Sequence, residues 1–150
     1  MHITSVKAFV IASGSLLNLI LCELFGGWSD LMTTLVIVML IDYAMGLCLA
    51  AFFQKSKKTK SGKLSSSVGL KGIIKKVFEL AIVAAAYRIG IATNFPALAA
   101  LVTGAFVANE VVSIMENAGR MGILPKRVQE LLDKAIDILN GKENGDEHKT

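Results

Sequence analysis

The sequence predicts an all-α integral membrane protein, with four transmembrane helices arranged as two hairpins and an amphipathic cytoplasmic helix at the C-terminal end. Three observations predict this class. Of the 150 residues, 53% are hydrophobic, and the mean hydropathy is +0.58. Charge is segregated, because residues 8–53 contain only Glu23, Asp30 and Asp42, whereas eight lysines lie together in residues 54–76. Helices of a soluble protein need a polar face along their length, and the apolar segments lack one.

Four apolar segments are candidate membrane spans, and we expect helices at residues 8–25, 31–53, 77–92 and 95–115 of a transmembrane domain covering 1–119. A span requires about 20 residues. The second segment is rich enough in large apolar residues to insert despite Asp42. The third is short and carries Glu79 and Arg88 near its ends, so we expect it to depend on pairing with the fourth. A protein with three spans, whose third segment lies at the membrane interface, is the alternative.

The lysine-rich segment, residues 54–76, predicts the orientation. Short loops rich in Lys and Arg stay cytoplasmic, and the connectors on the other side, Gly26–Asp30 and Thr93–Asn94, contain neither residue. Both termini are then cytoplasmic. No aromatic residue interleaves with the lysines, so anionic lipid headgroups rather than nucleic acid are the expected partner. The basic residues in question are Lys55, Lys57, Lys58, Lys60, Lys63, Lys71, Lys75 and Lys76.

The first segment also has features of a secretory signal, because Lys7 precedes an apolar run that ends near Cys22. Cleavage sites favour small residues before the cut, and Leu21 is not small. We therefore expect this helix to be retained. Cys22 and Cys48 both lie in apolar runs, where thiols act as small packing residues rather than a disulfide framework.

Beyond the spans, residues 120–141 predict an amphipathic cytoplasmic helix, with Pro125 in its first turn and Gly141 at its end. It is too polar to span, and it either lies on the inner leaflet or packs against copies of itself. Residues 142–150 form a charged tail that we expect to be disordered. The apolar residues that recur at helical spacing are Val128, Leu131, Leu132, Ala135, Ile138 and Leu139.

No catalytic or metal-binding pattern is present in the sequence. The two histidines, His2 and His148, are terminal, no His/Cys/Asp cluster has metal-ligand spacing, and no Gly-rich loop follows a strand. We expect neither an enzyme nor a cofactor. Function must then come from how the helices assemble.

Asp42 is the most informative intramembrane residue, because a carboxylate at that depth is costly and usually faces a partner or water. Small residues four and eight positions on, Gly46 and Ala50, share its face and allow close approach of another helix. We expect this face to serve association between copies or to line a pore, and the alternative is a contact within one chain. The fourth segment repeats the spacing with Ala100, Gly104 and Ala108.

Three groups of residues resemble the phage lysis and toxin-secretion holin family over roughly residues 31–132. The first is Asp42-Tyr43 followed by Gly46, in the second span. The second is the serine run 65–67 with Lys71-Gly72 and Lys75-Lys76. The third group lies at the inner end of the fourth span and contains Asn109, Glu110, Ser113, Ile114, Glu116 and Asn117, followed by Gly119, Gly122 and Pro125. Arg88 departs from the family pattern, which would place an acidic residue near the end of the third helix.

The resemblance implies a holin that accumulates in the cytoplasmic membrane of a bacterial host, forms homo-oligomers and opens lesions. Endolysin, or a large toxin, then leaves the cell without needing direct contact with the holin. The third motif group either caps the fourth helix or binds the basic segment through Glu110 and Glu116. Two other functions stay open from the residues alone. One is a small ion channel or transporter subunit that uses Asp42, and the other is a non-conducting membrane scaffold.

Overall fold

The computed structural model describes residues 2–54 and 65–139, and within these the chain forms five α-helices. They are α1 (His2–Phe25), α2 (Asp30–Cys48), α3 (Ser66–Ala92), α4 (Ala97–Met121) and α5 (Lys126–Leu139). A π-helical turn, Leu49–Phe53, continues α2 to Gln54. The predicted all-α class is confirmed. The predicted tail, residues 142–150, and the lysines at 55, 57, 58, 60 and 63 lie outside the described residues.

Three helices in the described part of the chain are long and apolar enough to cross a membrane: Thr4–Phe25, Asp30–Phe53 and Ala97–Met121. Helix α3 is longer than these but carries five charged side chains, so its composition does not mark it as a span. The expected fourth span is therefore not confirmed by apolarity alone.

Helix α3 begins at Ser66, well before the predicted start at residue 77. Ser65 precedes it in an extended conformation, which is the usual backbone state of an N-cap residue. Ser66 and Ser67 of the serine run therefore belong to the helix. Lys71, Lys75 and Lys76 consequently sit on a helix rather than in a loop.

Helices α3 and α4 form an antiparallel pair joined by a tight turn at residues 93–96. Asn94 adopts a left-handed conformation (φ 55°), and the Phe95 amide donates to the Gly90 carbonyl at 2.7 Å. The chain folds back so closely that a Cβ on Gly90 would lie 2.7 Å from the Phe95 carbonyl oxygen. Only glycine fits there without a shift of the backbone, and the turn includes the connector expected at Thr93–Asn94.

Helix α2 packs mainly against α4, and not against α1 as the hairpin prediction had it. Its buried residues Met32, Leu35 and Met39 contact Val83 of α3, and this core is covered by partly buried residues of the neighbouring helices. The covering residues are Phe25, Leu80, Val102, Phe106 and Val107. Leu35 and Met39 meet Val83, and Asp42, further along α2, meets the earlier α3 residue Lys76, so α2 is antiparallel to α3. Because α3 and α4 are antiparallel, α2 is parallel to α4.

Helix α1 lies at the edge of this bundle and approaches α3 alone among the described helices. Their C-terminal ends meet, where Gly26 (φ 72°) lets the Tyr87 ring lie against the backbone and Arg88 bonds Glu23 at 2.7 Å. In the described part of the chain, no residue in the most apolar 18-residue stretch of α1 is buried. A connector of a few residues brings α1 and α2 together only at their ends, which explains why the predicted first hairpin is not packed.

Candidate functional site

Asp42 is the centre of a buried polar cluster that joins α2, α3 and α4. The Lys76 ammonium of α3 lies 3.0 Å from Asp42 Oδ2 and 2.5 Å from Glu110 Oε2 of α4. Ser113 Oγ and Asn117 Nδ2 donate to Asp42 Oδ1 at 2.6 Å and 3.1 Å. We call these five residues the polar cluster. It links the predicted intramembrane carboxylate to two of the three family motif groups.

Local helix periodicity brings the α4 members of the cluster together. Glu110, Ser113 and Asn117 are spaced three and four residues apart, so they share one face of α4. That face continues toward the core through Thr103, which is buried and bonds its own helix through the Ala99 carbonyl at 2.6 Å. The helix stays regular past the predicted end at residue 115 because this polar face packs inward. It ends at Gly122, whose left-handed conformation allows Ile123 to bond Ala118.

Burial makes the charges of the cluster interdependent. The side chains of Asp42 and Glu110 are 8% and 3% exposed, and that of Lys76 is 16% exposed. A buried charge without a partner is costly, whereas a hydrogen-bonded pair offsets much of that cost. The two carboxylates share a single ammonium, so removing it affects two helices at once.

Glu79 adds a further buried carboxylate one turn from Lys76. Its Oε1 atom lies 3.5 Å from the Lys75 ammonium, four residues earlier on the same helix. Its Oε2 atom is buried and has no hydrogen-bond partner among the described residues. Lys75 and Lys76 therefore pair with three buried carboxyl groups, one from each of α2, α3 and α4.

Tyr43 brings the second motif group into contact with the first. Its ring lies over α3, where a Cβ on Gly72 would be 3.5 Å from Tyr43 Cε2 and one on Gly69 would be 3.6 Å from the hydroxyl. These distances correspond to ordinary van der Waals contact, so the Tyr43 ring lies close to this turn of α3 beside the cluster. All three motif groups of the resemblance thus meet at one level of the bundle.

The other residues expected at the association faces lie in different surroundings. Ala50 is buried, whereas Gly46 is half-buried, and a Cβ added to it would have no atom within 4 Å. On α4, Ala100 and Ala108 are exposed, and Gly104 is half-buried with the same open space beside it. Within a single chain, only Asp42 and Ala50 of these six residues are fully used for packing.

The other polar and charged residues singled out from the sequence are mostly on the surface. Asn109 is exposed, and Glu116 bonds Arg120 on its own helix at 2.9 Å rather than a lysine. Lys71 is exposed and the Lys75 side chain is 70% exposed. Arg88 does not reach Asp42 and pairs with Glu23 instead, which the sequence did not suggest.

Sequence reasoning missed Lys76 as the partner of Asp42, because the lysine was assigned to a loop. The serines at 65–67 were the available signal, since serine is a preferred residue at helix starts. Among the described residues, no group of three or more His, Cys, Asp or Glu is arranged to hold a metal ion. Cys22 and Cys48 are both exposed free thiols.

Comparison with known proteins identifies the family. The profile of the bacteriophage holin family matches residues 19–141. An uncharacterized protein of Halalkalibacterium halodurans is 38% identical over 129 residues, which cover 81% of this chain and 86% of the relative. An uncharacterized protein of Listeria monocytogenes is 36% identical, covering 84% of this chain and 83% of its own. One from Clostridium perfringens is 30% identical, covering 95% and 96%.

No solved structure gives a significant match. The family match spans all three motif groups, the helices that carry the polar cluster and the amphipathic helix α5. It confirms the resemblance drawn from the sequence, and holins are membrane proteins without enzymatic activity. The chain therefore belongs to the bacteriophage holin family.

Proposed function

We propose that this chain oligomerises in the cytoplasmic membrane of a bacterial host and opens lesions through which endolysin, or a large toxin, leaves the cell. Family membership is the observation that carries this proposal. Helix α1 supports the proposal, because it is apolar and long enough to span a membrane. The described residues of the chain bury no part of its most apolar stretch. Such a surface is covered by lipid in a monomer and is available to other copies as the protein accumulates.

The proposal includes four spans with both termini in the cytoplasm. Asp42, Lys76 and Glu110 lie about 18 to 24 Å along their helices from the connectors on the outer side. In a hydrocarbon core of about 30 Å, the polar cluster then sits on the cytoplasmic side of the bilayer midplane. Because α3 packs antiparallel along α4 from Gly90 to Lys76, it shares the depth of α4. This packing favours four spans over the alternative in which the third helix lies at the interface.

Pairing within the cluster explains how a helix with five charges enters the bundle. A single charged residue at the centre of an isolated transmembrane helix costs about 2.5–3.5 kcal/mol on insertion scales. Lys76 is neutralised by Asp42 and Glu110, and Glu79 has Lys75 beside it. In this account α3 inserts as part of the bundle and not as an independent span.

Association between copies is proposed to use the outward small residues of α4, with Asp42 and the Gly46/Ala50 face contributing when helices exchange partners. The stripe of Ala100, Gly104 and Ala108 lies away from the polar face and allows close approach of a second helix. Asp42 is engaged with its own chain, so its use between copies requires the cluster to open.

Two Ala→Leu substitutions on α4 distinguish a specific contact between copies from a general effect of a larger side chain. Ala108→Leu is expected to reduce cross-linked oligomers and delay lysis, because it fills the proposed contact. Ala105→Leu is the matched control, since Ala105 is also exposed on α4 but lies off the stripe. Equal effects of the two substitutions, at equal expression, would argue against the stripe as an interface.

Inducible expression in a bacterium, with and without an endolysin that lacks its own export signal, tests the function. A holin gives abrupt loss of turbidity only with endolysin, and releases a cytoplasmic reporter enzyme. An ion channel would depolarise the membrane without passing protein, and a scaffold would do neither. Asp42 is 6% exposed, so a single chain offers no water-lined path past it, which disfavours the channel.

A further inference from the structure

Helix α5 has two sides with apolar residues, and among the described residues one of these sides packs against α4. Leu132 and Ile136 line the groove between α5 and the last turns of α4, together with Gln129, Asp133 and Asp137. On the α4 side the groove is lined by Met115, Glu116, Gly119 and Arg120. The Gln129 side chain lies 3.6 Å from where a Cβ on Gly119 would stand. This side of α5 is therefore a contact with its own chain.

The opposite side combines basic and large apolar residues. Arg127, Leu131, Lys134 and Ile138 are spaced four, three and four residues apart, so they share one face. All four are exposed, with Leu131 at 67% and Ile138 at 70%. We call these four residues the outer face of α5. Packing on α4 leaves it uncovered.

Charge is divided between the two sides of the helix. Asp133 and Asp137 line the groove that also contains Arg120, so these acids lie toward the protein. Glu130 borders the outer face without being part of it. The outer face itself carries two positive charges and no negative one. Its chemistry is that of an interfacial helix, whose apolar residues enter a bilayer surface while long basic side chains reach the headgroups.

We propose that the outer face of α5 binds the anionic headgroup layer of the cytoplasmic leaflet. Only residues 122–125 separate α4 from α5, so α5 begins where α4 leaves the membrane. The inference rests on the proposed topology, in which that end of α4 is cytoplasmic. The lipid surface supplies negative charge for Arg127 and Lys134 and an apolar layer for Leu131 and Ile138.

A second copy of the chain is the weaker occupant. A two-fold contact between identical faces would place a second Arg127 and a second Lys134 in the same interface. Like charges across an interface are unfavourable. Anionic lipid complements the same pair, which is why the proposal commits to the bilayer.

The test uses the full-length chain in lipid vesicles, with Cys22→Ser and Cys48→Ser as background. A nitroxide is attached at Leu131→Cys or at Asp133→Cys, which serves as the control on the groove side. Its accessibility to oxygen and to a water-soluble nickel chelate is measured in phosphatidylcholine with and without phosphatidylglycerol. We expect the Leu131 label to become oxygen-accessible and protected from nickel only with the anionic lipid, while the Asp133 label stays accessible to nickel.

Neutralising the basic residues of the outer face, compared with neutralising a basic residue beside it, isolates their contribution. Each Lys or Arg near an anionic surface contributes about fivefold to binding, so Arg127→Gln with Lys134→Gln should shift the label equilibrium toward water by roughly 30-fold. Lys126→Gln, which removes a cation off the outer face, should shift it little. An equal shift from Lys126→Gln would contradict the assignment of the face.

Two results would overturn the proposal. One is a Leu131 label that stays accessible to nickel in both lipid compositions. The other is a label protected from oxygen and nickel alike, with spin–spin broadening that grows with the protein-to-lipid ratio, which would assign the face to a second copy. Both readouts are independent of lysis. Normal lysis of cells by a chain whose Leu131 label stays in water would therefore refute this inference alone. Lipid-bound α5 in a chain that does not lyse cells would refute the proposed function alone.

Discussion

Replacing Lys76 with methionine tests the energetic role of the polar cluster. Methionine keeps the unbranched shape of the side chain but removes the ammonium that bonds both Asp42 and Glu110. These carboxylates are 8% and 3% exposed, so water does not replace the lost partner. Breaking a buried ion pair costs about 3–5 kcal/mol, which lowers the folding equilibrium constant by roughly 10²–10⁴-fold.

The assay is reversible unfolding of the purified chain by SDS in mixed micelles, followed by circular dichroism. Lys71→Met is the matched control, because Lys71 is exposed on the same helix and should cost less than about 1 kcal/mol. Adding Glu110→Gln to Lys76→Met should recover part of the loss, since Ser113 and Asn117 still bond Asp42. If Lys76→Met were no more destabilising than Lys71→Met, the cluster would not hold the bundle together.

Three glycine-to-alanine substitutions, measured in the same assay, should differ in sign. Gly26→Ala places a Cβ 2.3 Å from the Tyr87 ring at φ 72°, so it should destabilise by more than the roughly 1 kcal/mol of left-handed strain and loosen α1. Gly90→Ala brings a Cβ 2.7 Å from the Phe95 carbonyl and should destabilise the α3–α4 turn. Gly104→Ala meets open space in a regular helix and should stabilise by about 0.5–1 kcal/mol. A uniform response of the three would contradict these local geometries.

Periodicity and apolar content predicted those parts of the fold that depend on local sequence. The bounds expected for the second span, 31–53, agree closely with α2 and its π-helical end, and the segment ends expected at residues 25 and 92 coincide with the ends of α1 and α3. The start of α3 was wrong because a run of lysines resembles a solvated loop. The end of this run is helical in the structure, where Lys76 pairs with the carboxylates of Asp42 and Glu110 on the neighbouring helices.

Long-range partners were the other part that the sequence did not determine. Asp42 was recognised as costly in a membrane, but its bonds to Lys76, Ser113 and Asn117 follow from packing α2 beside α4. Chain adjacency suggested α1 as the partner of α2 instead. A short connector fixes only the ends of two helices, and the faces along them decide the pairing. Helix α1, over its described residues, offers no charged side chain that reaches the polar cluster.

We propose that α3, although too polar to span the membrane alone, crosses it because the polar cluster pairs the charge of Lys76. Labelling of Trp28→Cys and Asn94→Cys, each in the background that carries Cys22→Ser and Cys48→Ser, by an impermeant thiol reagent in intact cells shows on which side of the membrane the two connectors lie. Both positions are expected to react from outside. Reaction at position 28 with protection of position 94 until the cells are permeabilised would place the α3–α4 turn inside and contradict this proposal.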